Sequence, residues 1–166
     1  MRPTNKLRLS TLDPNAFVDE VARRVDALIT LLHADRMDAN LRHTAQCVIE
    51  YAQDGEHILG HDRAHKSISD LIMQLYSSAM SSAEIARVFD DSPYRAEDAD
   101  PVLLVLLAAV GRYQIAMGQR VRVRHLAALS SVSAAALYAA ITRGDLRAKN
   151  GTVAAQDAKK WLKGRG

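Results

Sequence analysis

A run of nine apolar residues constrains the fold of this chain more than any other segment. The run, VLLVLLAAV from Val102 to Val110, follows Asp100-Pro101, a pair in which Asp suits the helix N-cap and Pro the first helical position. The pattern predicts a helix from Pro101 to about Met117, ended by Gly118. Because this helix is apolar on nearly every side, we expect it either at the centre of an N-terminal bundle or in a dimer interface. A membrane span would need about 20 such residues.

Further helices that could cover this run are predicted on its N-terminal side. Asp13-Pro14 repeats the capping signal, and the apolar residues that follow share one helical face (Val18, Val21, Val25, Leu28 and Leu32). Similar spacing predicts helices over residues 38–54 and 62–78, and the capping box from Ser81 to Glu84 predicts a short helix to Phe89 before a polar loop over 90–100. The chain is therefore predicted to be mainly α.

Basic residues are concentrated at the C-terminal end. Residues 111–166 contain 11 Lys and Arg against two Asp, a net charge of +9, whereas residues 1–110 carry −6. Such asymmetry indicates a polyanion-binding end joined to a part with another role, although a solvated basic tail is the alternative. We predict an acidic helical domain over residues 1–118, for dimerisation or partner binding, and a second domain over residues 119–166.

The basic end contains the signals of two short helices joined by a tight turn. Leu126 and Leu129 supply the inward face of the first helix, and the small Ala127 suits a close crossing. After a turn over residues 130–132, Ser133 is placed to cap a second helix, which Gly144 closes. The pattern is that of a helix-turn-helix.

A hairpin and a closing helix are predicted next. Asn150-Gly151, the pair preferred in a type I′ turn, separates Arg147-Ala148-Lys149 from Thr152-Val153. The residues at helical spacing that follow are Ala154, Ala158, Trp161 and Leu162. A short basic ribbon is therefore expected, with Trp161 packed back onto the two helices.

In this order of features, residues 121–162 resemble the excisionase-like and MerR-like winged helix-turn-helix family. The matching segments are HLAAL from His125, Val132-Ser133, Leu137-Tyr138, RGDL from Arg143, the hairpin, and DAKKWL from Asp157. Ser131 stands where the family commonly has Gly, and the second helix is rich in Ala. The resemblance implies a second helix, residues 133–143, in the DNA major groove and a hairpin wing on the flanking minor groove or backbone.

The candidate DNA-binding residues fall into two groups. Cations that bracket the helices and the hairpin are expected to bind phosphates, which releases counterions and makes binding salt-dependent (Arg122, Arg124, Arg143, Arg147 and Lys149). Exposed positions of the second helix and the hairpin turn form the other group (Ser133, Ala134, Ala135, Tyr138, Thr142 and Asn150). Because that group offers few of the side chains that bind base edges, we expect specificity largely from Arg143, the wing, DNA shape and half-site spacing.

Histidines suggest a second, less favoured kind of site. His57, His61 and His65 are spaced i, i+4, i+8, and His43 and Cys47 are spaced i, i+4. Imidazole and thiolate suit zinc and other transition metals, but Gly55 and Gly60 are expected to break the helix around His57. We therefore predict no metal site and keep the three spaced histidines as alternative candidates for a metal-sensing bundle.

Enzyme motifs are missing from the sequence. It contains no nucleophile elbow, no phosphate-binding loop and no HExxH zinc motif, so no enzymatic activity and no cofactor are predicted. The single cysteine, Cys47, cannot form an intrachain disulfide, and the start of the chain lacks a secretory pattern, so a cytoplasmic location without membrane association is expected.

These expectations together predict a sequence-specific DNA-binding transcriptional regulator. It would act as a repressor, binding double-stranded DNA as a homodimer on a palindromic operator. The alternative is an antitoxin or a phage or plasmid accessory protein, which would bind a protein partner through its N-terminal domain and DNA only for autoregulation.

Overall fold

The computed structural model describes residues 8–32, 39–55, 60–78 and 101–164. Within these segments the protein is mainly helical, with seven α-helices and one small three-stranded antiparallel sheet, which confirms the predicted class. The helix predicted over residues 81–89 and the loop predicted over 90–100 lie outside the described residues.

The elements run in the following order. The helices are α1 (Pro14–Leu32), α2 (Ala39–Asp54), α3 (His61–Ser78), α4 (Pro101–Ala116), α5 (Val123–Ser130), α6 (Ala134–Arg143) and α7 (Ala155–Lys163). The strands are β1 (Val121–Arg122), β2 (Ala148–Lys149) and β3 (Thr152–Val153), with β3 in the middle of the sheet. A 3-10 turn, Leu9–Thr11, precedes α1, and α1 begins where Asp13 Oδ1 accepts the Asn15 backbone N–H at 2.9 Å.

The apolar run lies at the centre of the first hydrophobic cluster. Each residue from 102 to 109 in α4 is at most 3% exposed, and α1, α2 and α3 all pack against this helix. Phe17, Ile49 and Leu71 are among the fully buried side chains that surround it. Burial of one such side chain stabilises the fold by about 1.5–3 kcal/mol. The helix is therefore covered within one chain, as the central helix of the bundle.

Arg112 joins the end of α2 to α4. Its Nε donates to the Ala52 carbonyl at 2.7 Å, and its Nη2 donates to the Gln53 carbonyl. Carbonyls in the last turn of a helix have no partner within that helix, so the guanidinium satisfies the C-terminus of α2. Burial lowers the pKa of Arg112. This cation, although part of the basic end of the sequence, has a structural role.

A second hydrophobic cluster holds α5, α6, α7 and the sheet together. Its centre includes Leu126, Leu137, Val153 and Ala158, each 0% exposed. The two clusters are continuous, because Ile115 of α4 belongs to the second, Ala128 of α5 belongs to the first, and Leu129 packs against both. Helices α4 and α5 thus connect the bundle to the C-terminal segment.

Among the helices of the described segments, none is by itself both long and apolar enough to cross a membrane.

Candidate nucleic-acid interface

Helices α5 and α6 are separated by three residues, and their directions differ by 111°. Ser131 ends α5 in the left-handed conformation, with φ of +52°, and its N–H donates to the Ala127 carbonyl. The Val132 N–H donates to the same carbonyl at 3.3 Å. Gly is the residue that most often adopts this left-handed conformation, but here Ser131 adopts it. The turn therefore forms as predicted, at a small cost in backbone strain.

The start and end of α6 follow the sequence signals. The Ser133 Oγ accepts the Ala136 backbone N–H at 3.1 Å, which makes Ser133 the N-cap. Gly144 closes the helix with φ of +84°, and its N–H donates to carbonyls of the last turn. Both predicted caps are confirmed. Because the Ser133 hydroxyl has this structural role, its contribution to a site would come mainly from its position at the helix N-terminus.

One face of α6 is available to a partner. Leu137 and Ala140 are 0% exposed, and Ile141 is half-buried against the second cluster. The exposed face consists of Ala135, Ala136, Tyr138, Ala139, Thr142 and Arg143. Tyr138 is 53% exposed, which is unusual for a large aromatic side chain. Ala134, which was predicted on this face, is instead half-buried and packs against the second cluster.

The β2–β3 hairpin projects next to these helices. Asn150 and Gly151 both have positive φ, +50° and +68°, as a type I′ turn requires, and Lys149 pairs with Thr152. The sequence did not indicate β1, whose two residues pair with β3 in the register Val121↔Val153 and Arg122↔Thr152. A two-residue strand is too short for any periodic signal. The predicted hairpin is therefore one part of a three-stranded sheet.

Arg120 forms two hydrogen bonds to Thr152 in the middle strand of this sheet. Its Nε donates to Thr152 Oγ1 and its Nη2 donates to the Thr152 carbonyl, both at 2.8 Å. The Thr152 hydroxyl in turn donates to the Lys149 carbonyl at 2.8 Å. The sequence indicated Arg120 only as one more positive charge. In the structure it orients the hairpin that carries Lys149 and Asn150.

Exposed cations occur at the end of α6, in and before the hairpin, and in α7. Arg143, Arg147 and Lys149 are exposed, as are Lys159 and Lys160 of α7, and Arg122 is half-buried. Arg143 donates to the Asp145 carboxylate at 2.9 Å, but both side chains are more than half exposed. Such a surface ion pair is worth roughly 0–1 kcal/mol, so a phosphate can replace the carboxylate at little cost.

Arg124 lies in the protein core and not on the candidate DNA-binding surface. It was predicted among the phosphate-binding cations, but its side chain is buried, with 8% of the residue exposed. A helix position that faces the core cannot present a guanidinium to DNA. Charge counting along the sequence could not separate this cation, or Arg112, from those on the surface.

The histidines kept as alternative metal candidates are only partly described. His57 and the side chain of His61 lie outside the described parts of the structure, whereas His65 is exposed and its ring lies 4.8 Å from that of Tyr113. The Cys47 sulfur lies 3.7 Å from His43 Nε2, and burial raises the pKa of this thiol. No group of three or more His, Cys, Asp or Glu side chains that could hold a metal ion occurs in the part of the chain that is described.

Comparisons with protein-family models, with curated proteins and with solved structures find no match for this chain.

Proposed function

We propose that the protein binds double-stranded DNA through residues 121–162, with α5 and α6 as a helix-turn-helix and the β2–β3 hairpin as its wing. In this proposal it regulates transcription as a dimeric repressor on a palindromic operator. One observation carries the proposal: two helices at 111°, an adjoining hairpin and a set of exposed cations occur in the same 42 residues. An angle of about 90–120° is usual for helix-turn-helix motifs.

In the proposed complex, α6 enters the major groove. Its exposed Ala135 and Ala139 are small, so the helix can approach base edges closely and place methyl groups against thymine methyls. Tyr138 and Thr142 on the same face carry hydroxyls, although the Thr142 hydroxyl donates to the Tyr138 carbonyl at 3.0 Å within the helix. Because Arg143 is the one strong base-edge donor on this face in the described structure, we expect much of the discrimination between sequences to depend on it and on DNA shape.

Phosphate contacts are assigned to three exposed cations: Arg143 at the end of α6, Arg147 before the hairpin and Lys149 in β2. Each phosphate neutralised contributes about −0.9 to the slope of log affinity against log salt concentration. Loss of all three would reduce the magnitude of that slope by about 2.7 per protomer.

Fluorescence anisotropy with the full chain tests this assignment. The probe is a labelled duplex of about 30 base pairs from upstream of the protein's own gene, titrated between roughly 50 and 300 mM KCl. The triple variant Arg143→Ala, Arg147→Ala, Lys149→Ala should bind at least tenfold more weakly at the lowest salt, with the smaller slope. The control variant Arg42→Ala, Arg63→Ala, Lys66→Ala removes the same charge from exposed positions of α2 and α3 and should bind like the wild type. Absence of binding at low salt, or equal losses in the two variants, would refute the proposal.

Sequence discrimination has a separate test. Tyr138→Ala with Thr142→Ala should reduce the preference for the upstream duplex over a scrambled duplex of the same composition. The salt slope should stay unchanged, because neither side chain carries charge. A variant that keeps the full preference would show that Tyr138 and Thr142 do not discriminate between base pairs.

The dimer is proposed to form through the N-terminal helices. A palindromic operator requires two copies of α6 about 34 Å apart, facing successive major grooves. Sedimentation equilibrium at micromolar concentration should give a dimer, and anisotropy should give two protomers per duplex. A protein that is monomeric both free and on DNA would instead favour the alternative, in which the N-terminal domain, residues 1–118, binds a protein partner.

A further inference from the structure

Two backbone hydrogen bonds close the end of α4 and fix the start of the segment that follows. The Gly118 N–H donates to the Ile115 carbonyl at 3.2 Å. The Gln119 N–H donates to the Gln114 carbonyl at 2.8 Å. With Gly118 at a φ of +68°, these two bonds form a Schellman motif. Arg120 comes next and leads into β1, so the central helix of the bundle sets the position of its backbone.

Arg120 begins a chain of hydrogen bonds that ends at Lys149 of the hairpin. Its guanidinium donates from Nε to the Thr152 hydroxyl oxygen and from Nη2 to the Thr152 carbonyl. Because a guanidinium has no acceptor atom, the Thr152 hydroxyl accepts from Arg120 and directs its own proton elsewhere. That proton is donated to the Lys149 carbonyl at 2.8 Å. Each bond in the chain therefore has only one possible direction.

The base and the turn of the hairpin are held differently. At the base, Val153 of β3 is 0% exposed and belongs to the second hydrophobic cluster. At the turn, Lys149 is exposed and lies in β2, a two-residue strand at the edge of the sheet. The Val123 N–H also donates to the Gly151 carbonyl at 3.1 Å. Because so short a hairpin is only marginally stable by itself, we expect the bonds from Arg120 to decide how well the turn is ordered.

We propose that Arg120 is a positioning residue for the wing: through Thr152 it holds Lys149 where that side chain meets a DNA phosphate. The phosphate contact rests on the function proposed above, whereas the ordering of the hairpin does not. A charge count would treat the exposed Arg120 as one more phosphate contact. Two of its donors bind Thr152, however, so its role requires the planar fork that reaches two acceptors at once, and not its charge alone.

Backbone 15N relaxation on the DNA-free full chain tests the ordering of the hairpin. Arg120→Lys keeps the charge and loses the fork, and Thr152→Val removes the hydroxyl and keeps a β-branched side chain. In the wild type, the Asn150 and Gly151 amides should have order parameters near the rigid-backbone value of about 0.85. In both variants these should fall towards about 0.6, with the amides of α6 unchanged. Equal hairpin order parameters in the wild type and both variants would overturn the proposal.

The effect on DNA binding is measured by anisotropy against salt concentration. Each variant should bind the upstream duplex about threefold to tenfold more weakly at the lowest salt. Each should also reduce the magnitude of the salt slope by about 0.9, the contribution of one phosphate contact, although neither substitution removes a charge. The matched control Arg42→Lys, at an exposed position of α2, should bind like the wild type. Wild-type slopes in both Arg120→Lys and Thr152→Val would overturn the proposal.

A double-mutant cycle tests whether Lys149 is the residue that is positioned. Lys149→Ala should reduce the salt slope as much as Thr152→Val does, and the two together should bind no more weakly than Lys149→Ala alone. Additive losses would show that Thr152 acts independently of Lys149 and would overturn the assignment. Thermal unfolding checks that each variant folds. If Thr152→Val does not fold, Arg120→Lys combined with Lys149→Ala provides the same cycle.

The two readouts separate this proposal from the proposed function. The relaxation measurements contain no DNA. A wild-type protein that binds no duplex, but whose hairpin loosens in both variants, would therefore refute the proposed function and leave the ordering of the hairpin by Arg120 supported. A hairpin that loosens in both variants without any change in duplex affinity would overturn the link between the position of Lys149 and DNA binding.

Discussion

Gly111 of α4 lies directly against α5, and its replacement by Ala tests how closely the two parts of the protein are packed. A Cβ at this position would lie 2.9 Å from Leu129 Cδ1, 3.0 Å from His125 Cβ and 3.2 Å from the His125 carbonyl oxygen. The Leu129 methyl can rotate away, because that side chain is only half-buried. The His125 atoms belong to or adjoin the backbone of α5, so Gly111→Ala requires α5 to move away by a few tenths of an ångström.

Two opposing effects set the size of the change. Overpacking of a buried contact costs about 1–3 kcal/mol, whereas Ala in place of Gly in a helix interior stabilises by about 0.5–1 kcal/mol. The shift would also lengthen the 2.9 Å hydrogen bond between His125 and Gln114. We therefore expect a net loss of about 1–2 kcal/mol in the free energy of unfolding. For a chain of this size, that loss lowers Tm by roughly 2–8 °C.

Urea unfolding followed by circular dichroism measures the free energy, and calorimetry gives Tm. Ala139→Gly on the exposed face of α6 serves as a calibration, because it changes helix propensity alone and should cost about 1 kcal/mol. If Gly111→Ala is as stable as the wild type or more stable, the close packing of α4 on α5 is not what requires glycine here.

Three further predictions concern backbone conformation, capping and pH. Ser131→Gly should stabilise the protein by about 0.5–1 kcal/mol in urea unfolding, because Ser131 holds a φ of +52°, and Ser131→Val should destabilise it. Arg112→Met should cost about 2–3 kcal/mol, because two α2 carbonyls lose a charged donor; an equal stability would refute the capping role. A hydrogen bond from Arg23, with Arg24 nearby, lowers the pKa of Glu20 to about 2 from 4.5. The ionised Glu20 carboxylate therefore stabilises the folded protein fully above about pH 4.5, and this stabilisation is lost as pH falls towards 2. Glu20→Gln should flatten that part of a Tm-against-pH profile and cost about 1 kcal/mol or less at neutral pH.

Local signals in the sequence predicted the helices of the described segments closely. The starts of α1 and α6 follow from Asp13 and Ser133, whose side chains accept backbone N–H groups two and three residues ahead. The hairpin turn follows from Asn150-Gly151, a pair that tolerates two consecutive positive φ angles. Each of these interactions spans a few residues, so the order of residues alone is enough to indicate it.

Properties of the candidate interface that depend on distant residues could not be predicted. Arg124 and Arg143 are equivalent in a charge count, yet the first is buried and the second is exposed. Arg120 orients the hairpin through Thr152, which lies 32 residues further along the chain. Strand β1 exists only because β3 pairs with it.

By itself, the sequence determined the mainly helical class, the caps and turns of the C-terminal segment and the concentration of positive charge there. All of these depend on residue type and on neighbours within about one helical turn. The tertiary structure alone decided that α4 is covered within one chain and which cations remain on the surface. These properties arise from packing between segments that lie tens of residues apart in the sequence, and no short sequence pattern can predict such packing.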